Sequence, residues 1–273
     1  MRVEQLGDGD PDLAIVGGIH GDEPCGRYAV EQLLEESPDL RRPVKVIVAN
    51  ERALERGVRY VEEDLNRVFP GDPEGESHES RLAHRLVQEL RDCTVFSLHS
   101  TRSYAAPFAL VDGLEPDVRT ICPYLSVEAV IETATFSAGR LIDFPDVVEV
   151  ECGLQGSADA ERNASMLARE FLAATGALSS ESEPKAVREV PVFEMDRQLP
   201  KPLDADEYEV FVENFERVGD GDVYATADGR EFTADEPFYP ILLSAYGYVD
   251  VFGYAGSLVG KLDEHPEPSP ERL

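Results

Sequence analysis

His20 and Glu23 stand three residues apart in Ala14-Ile-Val-Gly-Gly-Ile-His-Gly-Asp-Glu-Pro24, on a glycine-rich turn that follows an apolar run. An imidazole and a carboxylate held that close on a sharp turn can grip one metal ion from one side. Hydrolytic zinc sites are often built from two histidines and one carboxylate, with a water in the fourth position. A third ligand must come from elsewhere, and the chain has five histidines. His99, in Ser97-Leu-His-Ser-Thr101, closes an apolar run much as His20 does. His78 and His84 fall at or within an amphipathic helix and His265 falls in the tail, so they fit a shared centre less well.

Two further stretches carry chemistry. Between Asn50 and Gly71, the residues Arg59, Asn66 and Arg67 stand out. A guanidinium presents a planar fork that matches carboxylates. Near a metal it also polarises a carbonyl and stabilises a developing oxyanion. The plain alternative is pairing with Glu62, Glu63 and Asp64 on a solvated surface. In Asp146-Val-Val-Glu-Val-Glu-Cys-Gly153, Glu149 and Glu151 alternate within an apolar run. Strand alternation puts both carboxylates on one face. Glu151, next to the strand end, is the choice for a general base beside a metal-activated water. An ordinary edge-strand charge is the alternative.

These groups need elements to position them. Apolar runs predict strands at residues 12–18, 44–49, 94–98 (ending at His99), 108–111 and 147–150. Helical spacing predicts helices at 24–36, 77–91 and 157–174. Alternating strands and helices imply an α/β fold with a largely parallel sheet. Ligands in such sheets bind outside the carboxyl ends of strands, where His20 and His99 are expected to converge. After residue 178 the pattern changes. A Ser/Glu/Pro segment at 179–184 reads as a linker, followed by β-type runs at 187–193, 207–215, 238–243 and 248–254. The division expected is a catalytic domain at 1–178 and a small β-rich domain with a frayed tail at 179–273.

Composition narrows the class. A net charge of -30 disfavours nucleic acid and anionic membranes as partners. No apolar run is long enough for a transmembrane helix, and the polar N-terminus does not read as a signal peptide. A cytoplasmic protein is expected. The four cysteines are widely spaced and read as reduced and structural. Only four lysines accompany 55 acidic residues, the balance of a halophilic protein. Molar salt shortens electrostatic reach to about 3 Å, so the melting temperature is expected to fall in dilute buffer. A melting curve unchanged between dilute and molar salt overturns the halophilic reading.

Taken together, Gly17-Gly-Ile-His-Gly-Asp-Glu23, Asn50-Glu-Arg-Ala53, Arg59-Tyr60, Asp64-Leu-Asn-Arg67, Leu98-His-Ser-Thr101 and Glu149-Val-Glu-Cys-Gly153 resemble the succinylglutamate desuccinylase/aspartoacylase family. That family is the amidohydrolase branch of the zinc carboxypeptidase fold. The resemblance implies a mixed, largely parallel sheet flanked by helices, one Zn2+ per chain, and hydrolysis of the amide of a small N-acyl amino acid. It assigns His20, Glu23 and His99 to zinc, Arg59 to the scissile carbonyl, and Asn66 and Arg67 to the substrate's α-carboxylate. Glu151 becomes base and proton shuttle, and Asp64 orients the zinc site. Arg140 and Tyr248 are further substrate contacts, with Tyr246 competing for the second role. Arg102 departs from the family pattern. A metallocarboxypeptidase acting on short peptides, a catalytically silent metal- or ligand-binding relative, and a homo-oligomeric state all stay open.

Overall fold

The computed structural model describes residues 1–133, 136, 138–179 and 187–262. The chain opens with β1 (Arg2–Leu6), β2 (Leu13–Gly17), α1 (Cys25–Glu36), β3 (Val44–Val48) and α2 (Glu51–Arg56). It continues with α3 (His78–Leu90), β4 (Thr94–Thr101), β5 (Phe108–Val111), α4 (Pro116–Ile121) and β6 (Val130–Glu132). Then follow β7 (Val147–Leu154), α5 (Ala158–Ala174), β8 (Val190–Pro200) and β9 (Tyr208–Val210). The last strands are β10 (Val223–Ala227), β11 (Arg230–Thr233), β12 (Tyr239–Ile241) and β13 (Val251–Leu262).

Ten strands form one mixed sheet in the order β1-β3-β2-β4-β7-β5-β6-β8-β13-β12. Its centre, β3-β2-β4-β7, is parallel throughout. The edges bring in antiparallel pairs, β1 with β3 and β13 with β8 and β12. Strands β9, β10 and β11 make a separate antiparallel sheet. The chain after residue 187 thus supplies both the far edge of the large sheet and the small one. No helix among the described residues is long and apolar enough to cross a membrane.

The parallel block is buried on both faces, which is why its strands read as unbroken apolar runs. In β2, Leu13 and Ile15 pack with Ala29, Val30 and Leu33 of α1 and with Leu167 and Phe171 of α5. Ala14 and Val16 face the other way, onto Leu82, Ala83 and Leu86 of α3. Serine caps start two helices cleanly: Ser77 accepts from Ser80 N and Ser157 from Ala160 N. All four cysteines are free and buried.

The order of strands fixes where the site lies. The chain passes from β2 to β3 on one side, then crosses β2 to reach β4 on the other. A crevice opens at the carboxyl ends where that reversal occurs. Two glycine contacts set the geometry there. A Cβ on Gly17 would lie 2.2 Å from the carbonyl carbon of Gly26, so α1 presses directly on β2. A Cβ on Gly21 would lie 2.0 Å from the carbonyl carbon of Ala53, so the His20 turn sits tight against α2.

Some elements differ from the sequence reading. Strand β4 runs on through His99 to Thr101, and β7 through Glu151 to Leu154, because the two pair with each other in that region, His99 opposite Glu151. Only Tyr208–Val210 of the 207–215 run is a strand. Strands β1, β6, β10 and β11 and helices α2 and α4 were not anticipated. Of the expected linker only residue 179 is described; the rest of it, and the tail from Glu264, lie outside the described residues.

Candidate metal centre and its cavity

After β2 the backbone turns through Gly18, at φ 71°, and delivers His20 inward. Gly21 N donates to Arg59 O, and Glu23 N donates to His20 O, closing the turn just before α1. His99 comes from the neighbouring strand β4. The three side chains are nearly sealed from solvent, at 3%, 5% and 4% exposure for His20, Glu23 and His99. His20 Nδ1 lies 2.8 Å from Glu23 Oε1, and His99 Nδ1 lies 3.1 Å from Glu23 Oε2. One donor atom from each falls within 4.8 Å of the other two. Both imidazoles thus turn the same ring nitrogen toward one carboxylate. Two nitrogens and a carboxylate suit zinc.

The remote ring nitrogens are held as well. His20 Nε2 contacts Asp64 Oδ1 at 3.0 Å. His99 Nε2 contacts Ser97 Oγ at 3.0 Å and Glu149 Oε1 at 3.3 Å. A carboxylate partner fixes the tautomer of a ligating histidine, and either kind of partner steadies its ring. Burial alone would depress both rings, but Glu23, helped by Asp64, raises His20, and Glu149, helped by Glu23, raises His99 well above the usual value. Burial likewise works against the charge on Glu23, yet the two imidazoles hold its pKa well below the usual range. The metal-free cluster is therefore a carboxylate between two proton-rich rings, and a cation can take the place of those protons.

Arg59 leans over this cluster. Its Nη1 is 3.1 Å from Glu23 Oε1 and its Nε is 2.9 Å from Asp64 Oδ2. The loop that carries Arg59 and Asp64 is anchored from α3. Glu79, fully buried, accepts from Asn50 Nδ2 and from the backbone N–H groups of Val61, Glu62 and Glu63.

A cavity of about 390 Å³ opens beside the cluster. Arg59, Arg67, Arg140, Glu151 and Tyr248 all line it. Glu151 stands at its edge with Oε2 lacking both solvent and a hydrogen-bond partner. Burial, reinforced by the negative charge of Glu23 and opposed by His99, pushes Glu151 up to about 8. Arg67 is pushed down from its usual value by burial and by the Arg140 guanidinium beside it. Arg140 Nε is buried without a partner. Two guanidiniums held together in one cavity call for anionic company.

Tyr248 lines the cavity, with its phenol pushed up by burial and by Glu151. Tyr246 is 61% exposed, and its hydroxyl accepts from Tyr208 N instead. Asn66 is largely consumed internally: Oδ1 accepts from Leu141 N and Nδ2 donates to Glu149. Arg102 stands at the rim, where its Nε donates to Gln155 Oε1. His78 and His84 line a separate surface cleft on α3. Sequence reasoning missed Glu149 as a contact of His99, and it missed Glu79 altogether. The period-two spacing of Glu149 and Glu151 puts both on the face of the site but does not mark the contact with His99. Nothing local in the sequence marks Glu79.

Residues 9–168 match the family model of the succinylglutamate desuccinylase/aspartoacylase catalytic domain. A probable aspartoacylase from a Nostoc species is 28% identical over 127 residues, covering 42% of this chain and 43% of that protein. An N-acyl-aromatic-L-amino acid amidohydrolase from Xenopus tropicalis is 32% identical over 105 residues, covering 33% and 34%. The chain thus spans less than half the length of these curated relatives. Among solved structures, a succinylglutamate desuccinylase/aspartoacylase from Rhodobacter sphaeroides superposes with a TM-score of 0.75 at 17% identity, covering 94% of this chain and 89% of that one. Murine aminoacylase 3 superposes at 0.71 and 18%, covering 93% and 98%. The large mixed sheet flanked by helices is the fold of these proteins, and the match over residues 9–168 places the chain in the succinylglutamate desuccinylase/aspartoacylase family.

Proposed function

We propose that the protein is a zinc-dependent amidohydrolase that splits an N-acyl amino acid into a carboxylate and a free amino acid. The observation that carries this reading is the His20/Glu23/His99 donor set facing Glu151 across the paired strands β4 and β7. A divalent cation bound there supplies an acidified water and polarises the acyl carbonyl. Glu151, made a stronger base by its buried, anionic surroundings and ionised beside a bound cation, takes the proton of the attacking water and passes it to the leaving amine. The Arg59 guanidinium faces the oxygen on which charge develops. Arg67 and the remaining N–H of Asn66 hold the α-carboxylate, Arg140 and Tyr248 the rest of the amino acid, and Asp64 steadies His20.

The named relatives differ in the amino acid their names carry, a probable aspartoacylase in one case and an N-acyl-aromatic-L-amino acid amidohydrolase in the other. The adjacent guanidiniums of Arg67 and Arg140 favour an amino acid with a second carboxylate. The cavity wall includes Gly247, Tyr248 and Val249 from the C-terminal part of the chain, which favours small substrates over peptides. Metal analysis, followed by release assays over N-acetyl and N-succinyl amino acids at high salt, tests the reading. One zinc per chain and turnover of acylated acidic amino acids are expected. Turnover confined to peptides would instead make the protein a metallocarboxypeptidase, and metal binding without turnover on either panel a silent relative.

A further inference from the structure

We propose that Glu149 is a positioning residue that fixes the His99 imidazole for metal binding, and that the short Asp64–Asn66 turn braces both metal-binding histidines at once. This rests on the zinc reading above.

Strand β7 is apolar around Glu149. Val148 and Val150 are buried in the core beneath α1 and α5, and Val147 packs in the cluster under α3. Glu149 itself is 4% exposed. A carboxylate buried in such a strand is costly unless polar partners hold it. Here it has two, His99 Nε2 at 3.3 Å and Asn66 Nδ2 at 3.1 Å. An apolar residue would fill the same place at lower cost, so packing alone does not account for a carboxylate.

The second partner of His99 sharpens the point. Ser97 Oγ lies closer, at 3.0 Å. A hydroxyl both donates and accepts, so it leaves either imidazole tautomer available. An ionised carboxylate only accepts. Glu149 therefore selects the Nε2–H form and leaves Nδ1, the nitrogen facing Glu23, as the free donor. His20 is served the same way by Asp64. The two braces meet in one turn. Asp64 holds His20, and Asn66, two residues on, holds Glu149, which holds His99. Asn66 Oδ1 is in turn tied to Leu141 N, next to Arg140. The metal ligands and the cationic wall of the cavity thus share one small scaffold.

The test uses full-length wild type, Glu149→Gln and Ser97→Ala, each stripped of metal and titrated with Zn2+ against a chromophoric chelator. Glu149→Gln is expected to bind zinc about 10–100-fold more weakly, the usual effect of losing such a partner. Ser97→Ala, which loses a ring contact but not the tautomer-selecting carboxylate, is expected to weaken zinc binding less than Glu149→Gln does. Equal affinity of Glu149→Gln and wild type overturns the role of Glu149 and leaves the zinc reading intact. Failure of the wild type itself to bind zinc overturns the zinc reading, and this proposal with it. Should Glu149→Gln fail to fold, imidazole nitrogen NMR of zinc-loaded wild type decides: His99 protonated on Nε2 supports the proposal, and protonated on Nδ1 overturns it.

Discussion

Replacing Glu151 by glutamine is expected to lower turnover by about 10²–10⁴-fold, the usual contribution of a positioned general base, while zinc content stays at the wild-type level. Glu151 is not among the three residues that converge as donors, so its loss should spare the metal. The amide keeps the side chain's shape but neither accepts nor returns a proton. The same substitution has a second, opposite effect on the metal-free protein. In the unfolded chain this carboxyl ionises near the ordinary value of 4.5, whereas the folded chain keeps it neutral up to about 8. As pH rises through that window the unfolded state gives up a proton that the folded state retains. The wild type therefore loses stability between those values, and the loss is complete above pH 8. Glutamine does not ionise. Metal-free Glu151→Gln is expected to melt higher than wild type at pH 9, by up to a few kcal/mol of stability, and the two should converge below pH 4.5. Normal turnover in this variant would remove Glu151 from the mechanism. A wild-type advantage at pH 9 would mean that folding does not raise this carboxyl above its ordinary value.

Arg59→Ala is expected to reduce kcat by roughly 10²–10³, the typical effect of removing one oxyanion donor, with a much smaller change in KM. The split follows from the role assigned to it: the guanidinium meets charge that exists only as the carbonyl is attacked. Arg59 also spans Glu23 and Asp64 with charge-assisted hydrogen bonds. Its removal leaves those acids with their imidazole partners, so zinc should remain bound. Arg59→Lys separates charge from geometry. A lysine keeps the positive charge but cannot bridge both acids with one planar fork, so partial rescue is expected. If KM rose while kcat held, Arg59 would be a ground-state binding residue instead.

The centre of this fold was legible because its signals are local. The apolar runs of β2, β3 and β4 and the helical spacing of apolar residues in α1, α3 and α5 are fixed by burial on both faces of a parallel sheet. The glycine-rich turn announced His20 and Glu23 because only a sharp turn needs glycines at those places. What escaped depends on long-range register. Glu149 meets His99 because β4 and β7 pair with Ser97 opposite Glu149 and His99 opposite Glu151, a register that no spacing within β7 reveals. Glu79 serves backbone groups 16 to 18 residues away, so its role exists only once the loop is closed. The C-terminal runs were recognised as β-type. Their destination was not, because alternation in a strand says nothing about which sheet edge it joins. Hence β8 and β13, read as parts of a small appended unit, here extend the large sheet.

The contact between Gly17 and Gly26 has a meaning for how damage to this site should be interpreted. Neither residue has a functional group, yet the backbones of β2 and α1 meet there with no room for a methyl. His20 and Glu23 lie on the span between them, and Gly26 also abuts the carbonyl of Leu98, next to His99. A side chain at either glycine acts as a wedge that prises two donors away from the third. The centre is thus governed by a hinge pin as much as by its ligands, and the chemistry can be lost through distance alone, with every reactive atom still in the chain.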